Sequence, residues 1–250
     1  MRRLRLVLCL VGTAGLVAMF TIAIVGLPSF GSLSHPYGSR AVAAAIKHGT
    51  TNVVASVTFD QRGIDTMGEE FILFAAALGT LILLRRMRAE AEDEGHQLAR
   101  RPEDVFEAAR LVGLVMLPVT LLIGGYIVLH GHLTPGGGFQ GGVVLATGLH
   151  VAFLAGDLGV LERLRPVWLF DITEATGAGA FVVVGLVAMA SGSAFLTNVP
   201  PFRKVGDVVS AGTIPLLNIA VGIEVASAIV LLLSKFLEQA LLIHPDDGKR

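Results

Sequence analysis

Residues 214–237 read Ile214-Pro215-Leu216-Leu217-Asn218-Ile219-Ala220-Val221-Gly222-Ile223-Glu224-Val225-Ala226-Ser227-Ala228-Ile229-Val230-Leu231-Leu232-Leu233-Ser234-Lys235-Phe236-Leu237. An apolar run of this length suffices for a helix crossing the roughly 30 Å hydrocarbon core of a bilayer. Working outward, five further runs have the same character: Leu6 to Leu27, Met67 to Leu84, Leu111 to Leu129, Gly141 to Gly159 and Gly177 to Leu196. Composition agrees, with 53% hydrophobic residues, 16% charged and a mean hydropathy of +0.72. The expected fold class is all-α, a polytopic membrane protein with about six transmembrane helices. Little of the 250-residue chain is left for a soluble catalytic domain.

The first run follows Arg2, Arg3 and Arg5 and exceeds the roughly 7–15 residues of a signal-peptide core, so it reads as a retained helix. The small residues around Ser32 to Ser39 leave a cleaved signal as the alternative. Positive charge then sets orientation. Alternate connections hold fourteen of the 19 Lys and Arg on one side, the side of both termini, against Arg40, Lys47, Arg62, Arg203 and Lys204 on the other. Both termini are expected in the cytoplasm. No Lys/Arg block is dense enough to track a phosphate backbone, so nucleic acid is not an expected partner. Cys9 is the only cysteine, which rules out an intrachain disulfide or a cysteine-ligated cluster; no cofactor is expected.

The connection Arg85 to Arg110 is strongly polar, with both signs interleaved. It reads as a seam between two modules: residues 1–88 with two helices, a cytoplasmic connection 89–108, and residues 109–250 with four.

A charged side chain inside a bilayer costs several kcal/mol unless it finds a partner or water, so such residues are functional candidates. Glu224, mid-span among apolar neighbours, is the sharpest; a proton or ion role competes with a carboxyl that only fixes helix packing. His150, midway along the fourth run, suits a proton relay equally with a neutral interhelical contact. Asn218 lies about 120° around the helix from Glu224 and reads as interhelical glue. Glu69 and Glu70 open the second run, after Asp60, Arg62 and Asp65. Thr66 or Asp65 could cap that helix with Glu69 closing a capping box; a water-accessible ion entrance is the other reading.

Between the third and fourth runs lies His130-Gly131-His132-Leu133-Thr134-Pro135-Gly136-Gly137-Gly138-Phe139-Gln140-Gly141-Gly142. Two imidazoles without a third ligand make a poor metal site, and no Lys-Ser/Thr follows to make a phosphate loop. Close helix packing through the glycines is the expectation, extending to Gly177, Gly179, Gly185 and Gly222.

These motifs together resemble a family. Gly26-Leu27-Pro28-Ser29-Phe30-Gly31, Thr51-Asn52-Val53-Val54 and Arg62-Gly63-Ile64-Asp65-Thr66-Met67-Gly68-Glu69 resemble the C-terminal part of the large subunit of Mrp-type cation/proton antiporters, a module that also stands alone as the E subunit of membrane-bound hydrogenases. From Leu111 onward, the Pro135-Gly136-Gly137-Gly138-Phe139-Gln140-Gly141-Gly142 run resembles the four-helix Mrp B subunit (MnhB). The resemblance implies one member of a set of membrane subunits, in an antiporter or a hydrogenase-type complex, with Na+ and H+ as the transported ions. It also implies that Glu69 lies on an ion path. The sequence departs from the family at Ile64, where an aromatic is usual, and in its Glu69-Glu70 doublet, which leaves open which carboxylate acts.

Overall fold

A computed structural model of the chain describes residues 2–27, 35–84, 107–154 and 167–243. Among these residues the regular structure is helical: α1 (Arg2–Val25), α2 (Pro36–Lys47), the short α3 (Val53–Ser56) running into a π-helical turn (Val57–Gln61), then α4 (Gly63–Leu83), α5 (Glu107–Leu129), α6 (Gly138–Leu154), α7 (Val167–Ala190) and α8 (Ile214–Ile243). Five helices are long and apolar enough to cross a membrane, over Leu6–Val25, Gly63–Leu83, Arg110–Leu129, Trp168–Ala190 and Ile214–Phe236. The fourth expected run is α6, 17 residues over the described part, and its end at Gly159 lies outside the described residues. The Arg85–Arg110 seam also lies outside them, apart from the first turn of α5.

The chain divides into two compact units, Met1–Arg40 and Ala41–Arg250. In the first, α1 is a 24-residue apolar helix whose described side chains are all exposed. In the second, α8 is the central element and packs on α4, α5, α6 and α7. Its buried residues Ile214, Leu217, Val221, Val225, Ala228 and Leu231 recur every three or four positions, the spacing of one helix face, with Asn218 beside them. Phe181 and Val184 of α7, Ala55 of α3 and Phe59 of the π turn complete the core.

Several of the glycines stand at close contacts between helices. A Cβ at Gly142 of α6 would stand 2.8 Å from the Gly222 carbonyl oxygen and from Val225 Cβ; one at Gly138 would stand 2.7 Å from Val221 Cβ. Only hydrogen at these positions lets α6 and α8 approach so closely. Gly185 makes room for the ring of Phe195, whereas the space beside Gly179 is open.

Two boundaries differ from the apolar pattern. Helix α4 begins at Gly63, four residues before the hydrophobic run, and α7 spans Val167–Ala190 rather than 177–196. At its far end Gly192, with φ +84°, takes the left-handed conformation that stops a helix. At its near end the helix runs on through Asp171 and Glu174, charged residues that precede the apolar run expected from Gly177.

Candidate functional site

At one end of the bundle the connections are stitched together by side-chain hydrogen bonds. Asn52 caps α3, its Oδ1 accepting from the amides of Val54 and Ala55, while its Nδ2 donates to the carbonyls of Gly131 (2.7 Å) and Thr134 (2.9 Å), with Gly136 further off at 3.5 Å. The Asn52 amide donates to the His132 carbonyl. His132 Nε2 donates to the Val208 carbonyl (3.0 Å), and Ser210 Oγ to that of Gly49 (2.7 Å). Asn198 donates to the Ala211 carbonyl and accepts from the amide and hydroxyl of Thr213. The glycine-rich segment is thus held by Asn52 on one side and Val208 on the other, and Ser210 ties those two flanking segments together through Gly49.

From this loop end α4 descends with a buried face of Gly63, Thr66, Glu70 and Ala77. The expected capping box does not form. Because α4 starts at Gly63, Asp65 and Thr66 lie inside the helix; Thr66 Oγ1 donates to the Thr58 carbonyl (2.7 Å) and Asp65 pairs with Arg62 on the surface. Glu69 is exposed, one position (100°) off the buried face, and Glu70 is 1% exposed. The doublet therefore has one carboxylate for water and one for the core.

Glu70 meets Glu224. The two carboxyl groups, on α4 and α8, lie within hydrogen-bonding reach, yet among the described residues neither oxygen of Glu224 nor Oε2 of Glu70 has a donor. Carboxylate oxygens only accept, so a bond between these two exists only when one of them carries a proton. A third acid, Glu174 of α7, acts on Glu224 through space; it is 3% exposed, with Oε1 also lacking a donor. Gly177, one turn beyond Glu174, makes this possible: a Cβ there would stand 2.6 Å from Glu224 Cβ and 2.9 Å from the Ala220 carbonyl oxygen.

Of the residues singled out from sequence, Glu70 and Glu224 come together, and Glu69 flanks them from the exposed side of α4. Asp65 is at the surface. His150 is half-buried on α6, its Nδ1 2.7 Å from the Ala146 carbonyl of its own helix. Asn218 is interhelical glue as expected, its Oδ1 accepting from the Gly138 amide (2.8 Å) at the start of α6. Phe139 is exposed beside the buried Gly138, Gly141 and Gly142. Sequence reasoning missed Glu174, because the apolar run of the fifth span starts only at Gly177. It also missed a half-buried pair, His48 Nδ1 at 2.5 Å from Asp60 Oδ2, with the imidazole stacked on Phe202.

Family models divide the chain in two. Residues 1–101 match the family of the E subunit of MBH, and residues 108–231 a domain related to the MnhB subunit of Na+/H+ antiporters. The chain joins these two domains in one polypeptide. Among curated relatives, a probable K(+)/H(+) antiporter A/B subunit of Rhizobium meliloti is 27% identical over 205 residues, covering 72% of this chain and 20% of that one. The Na(+)/H(+) antiporter B subunit of Bacillus subtilis is 34% identical over 93 residues, 36% of this chain and 60% of its own. The chain thus spans a fifth and three fifths of these two antiporter proteins. Among solved structures, a chain of the membrane-bound sulfane sulfur reductase, an archaeal respiratory membrane complex, superposes with a TM-score of 0.70 at 26% identity, over 94% of this chain and 98% of the other. With five helices of spanning length and apolarity among the described residues, this two-domain chain is a multi-pass membrane protein. Glu70 belongs to the MBH-related part, and Glu174 and Glu224 to the MnhB-related part, so the carboxylates meet across the junction of the two.

Proposed function

We propose that this chain is an integral membrane subunit of a multisubunit monovalent cation/proton antiporter, and that Glu70 and Glu224 lie on its ion path. The observation that carries the reading is the buried Glu70–Glu224 contact without donors. Two such acceptors in a low-dielectric setting require a proton or a cation between them, and a site that must take up a cation is a site that can carry one. The matched antiporter proteins support Na+ or K+ and protons as the exchanged ions. Coupled movement would draw on roughly 2.3 kcal/mol per elementary charge per 100 mV of membrane potential. The family points to transport rather than catalysis, so chemistry on a substrate belongs, if anywhere, to partner subunits. The positive-charge asymmetry supports both termini in the cytoplasm and the stitched loop end on the opposite side. The modules 1–88 and 109–250, joined by 89–108, are the corresponding domain proposal.

A second reading has its own observation. The match to a respiratory complex covers nearly all of both chains, which supports an ion-pumping membrane arm driven by redox partners. Cation-dependent proton exchange in inverted vesicles carrying the whole complex separates the two. Exchange without an electron donor, lost in Glu224→Gln while the complex still assembles, is the antiporter outcome. Movement only on addition of an electron donor is the redox outcome, and exchange unaltered by Glu224→Gln and Glu70→Gln removes both carboxylates from the path.

A further inference from the structure

Five acids stand in one order of neighbours within Ala41–Arg250. Glu69, exposed on α4, acts on Glu70; Glu70 faces Glu224; Glu224 feels Glu174; and Glu174 feels Asp171, exposed three residues earlier on α7. The three in the middle are at most 3% exposed, and four of their oxygens, both of Glu224 with one each of Glu70 and Glu174, have no donor. Among the described residues, the charged groups that act on them are one another, Glu69 and Asp171, every one of them acidic.

The order is also a descent. At 1.5 Å per residue, Glu70 lies about 10 Å below the start of α4, Glu224 about 15 Å below the start of α8, and Glu174 about 24 Å below the end of α7, and all three helix ends belong to the stitched loop end. The row therefore crosses the bundle obliquely, with an exposed acid at each terminus.

What the row carries follows from how its oxygens are arranged. A dehydrated alkali ion needs several oxygens converging on one point, as hard cations do. Here the acids are strung out, and among the described residues no three His, Cys, Asp or Glu side chains converge on a common ion position. Close contact at Gly177 leaves no space between α7 and α8 beside Glu224. A proton needs only two oxygens at a time.

We propose that Glu70, Glu224 and Glu174 form a proton relay from Glu69 to Asp171, that Glu174 is a required member of it, and that the exchanged cation does not enter the row. This rests on the ion-path reading above and names its cargo. At each step one carboxyl O–H gives its proton to the next carboxylate and is left as a carboxylate, so charge is conserved. Carboxyl rotation or a water molecule spans the wider gap from Glu224 to Glu174.

The test is made on the intact complex. Glu174→Gln is expected to lower the maximal rate of exchange about a hundredfold, the scale of a lost proton-transfer group. The apparent KM for the cation should stay unchanged, and Glu174→Asp should recover part of the rate. Equilibrium binding of 22Na+ to the purified complex should be the same for wild type, Glu70→Gln, Glu174→Gln and Glu224→Gln. An increase in cation KM that saturating cation overcomes, or loss of 22Na+ binding in any of the three variants, overturns the proton assignment. Wild-type rates in an assembled Glu174→Gln complex overturn the role of Glu174. If wild type exchanges nothing without an electron donor, the antiporter reading fails by itself; proton movement on donor addition is then compared in the same variants, and an undiminished signal in Glu174→Gln overturns the relay.

Discussion

The loop end and the carboxylate row are both buried polar regions, and they treat their polar atoms in opposite ways. At the loop end Asn52, Asn198 and Ser210 find partners with good geometry, and the exceptions are the Thr50 hydroxyl and His132 Nδ1. In the row, four carboxyl oxygens have none. A satisfied buried network fixes structure, whereas buried acceptors without donors cost free energy that packing elsewhere must offset. The first region holds the two domains together; the second is where the chain spends stability on something other than holding together.

The sharpest break in this comparison comes from exchanging charge for an amide in each region. Glu224→Gln or Glu70→Gln keeps the shape, supplies the missing donor and ends titration. Such complexes are expected to assemble at least as well as wild type while exchange falls by about two orders of magnitude or more. Vesicle exchange measured beside quantified assembly checks it. A variant that fails to assemble would place the row with the structural networks.

Asn52→Ala should do the reverse. It removes the α3 cap, worth about 1 kcal/mol, and two well-formed bonds to the Gly131 and Thr134 carbonyls at about 1 kcal/mol each. A loss of about 3 kcal/mol is expected in denaturant titration of the purified complex, with exchange per assembled complex nearly unchanged. Gly177→Ala sits between the regions. The added methyl must push α7 from Glu224 and the Ala220 carbonyl, an overpacking cost of about 1–3 kcal/mol, and it also widens the Glu224–Glu174 gap. Thermal melting should fall modestly, and exchange should fall more than Asn52→Ala makes it fall.

Much of this architecture is readable in the chain because bilayer physics is strict: apolar length gives the spans, and glycines at Gly138, Gly142 and Gly222 give the contacts between α6 and α8. The errors have a common origin. The apolar run read as the fifth span starts only at Gly177, which leaves Glu174 outside it although Glu174 is buried within α7. A local capping pattern explains Glu69, although the tertiary contact of Thr66 with Thr58 starts α4 earlier and turns Glu70 inward. Asn52 can be quoted from its motif, but its partners lie some eighty positions away, and nothing local in the sequence reports a pairing at that distance. Helix rotation is what hydropathy lacks, and rotation decides which of Glu69 and Glu70 is buried.

The smallest effect concerns the one imidazole in the loop network. His132 is 1% exposed; its Nε2 donates to Val208, and Nδ1 has a buried lone pair and no donor. Burial lowers its pKa below the usual imidazole value of about 6.5, with His130 adding to the effect and the Val208 bond opposing it. As pH falls through about 6.5 the unfolded chain takes up a proton that folded His132 refuses, so its contribution is present above that pH and is lost below it, down to the lowered folded value. Stability of the complex should therefore decline on mild acidification, and His132→Gln, which can still donate to the Val208 carbonyl, should flatten that part of the profile. Unfolding free energy followed from about pH 8 to about pH 5 in both proteins, a range that brackets the imidazole titration, checks it. Equal slopes would mean that the folded state admits the proton, and the loop end would then share the row's capacity to take up charge.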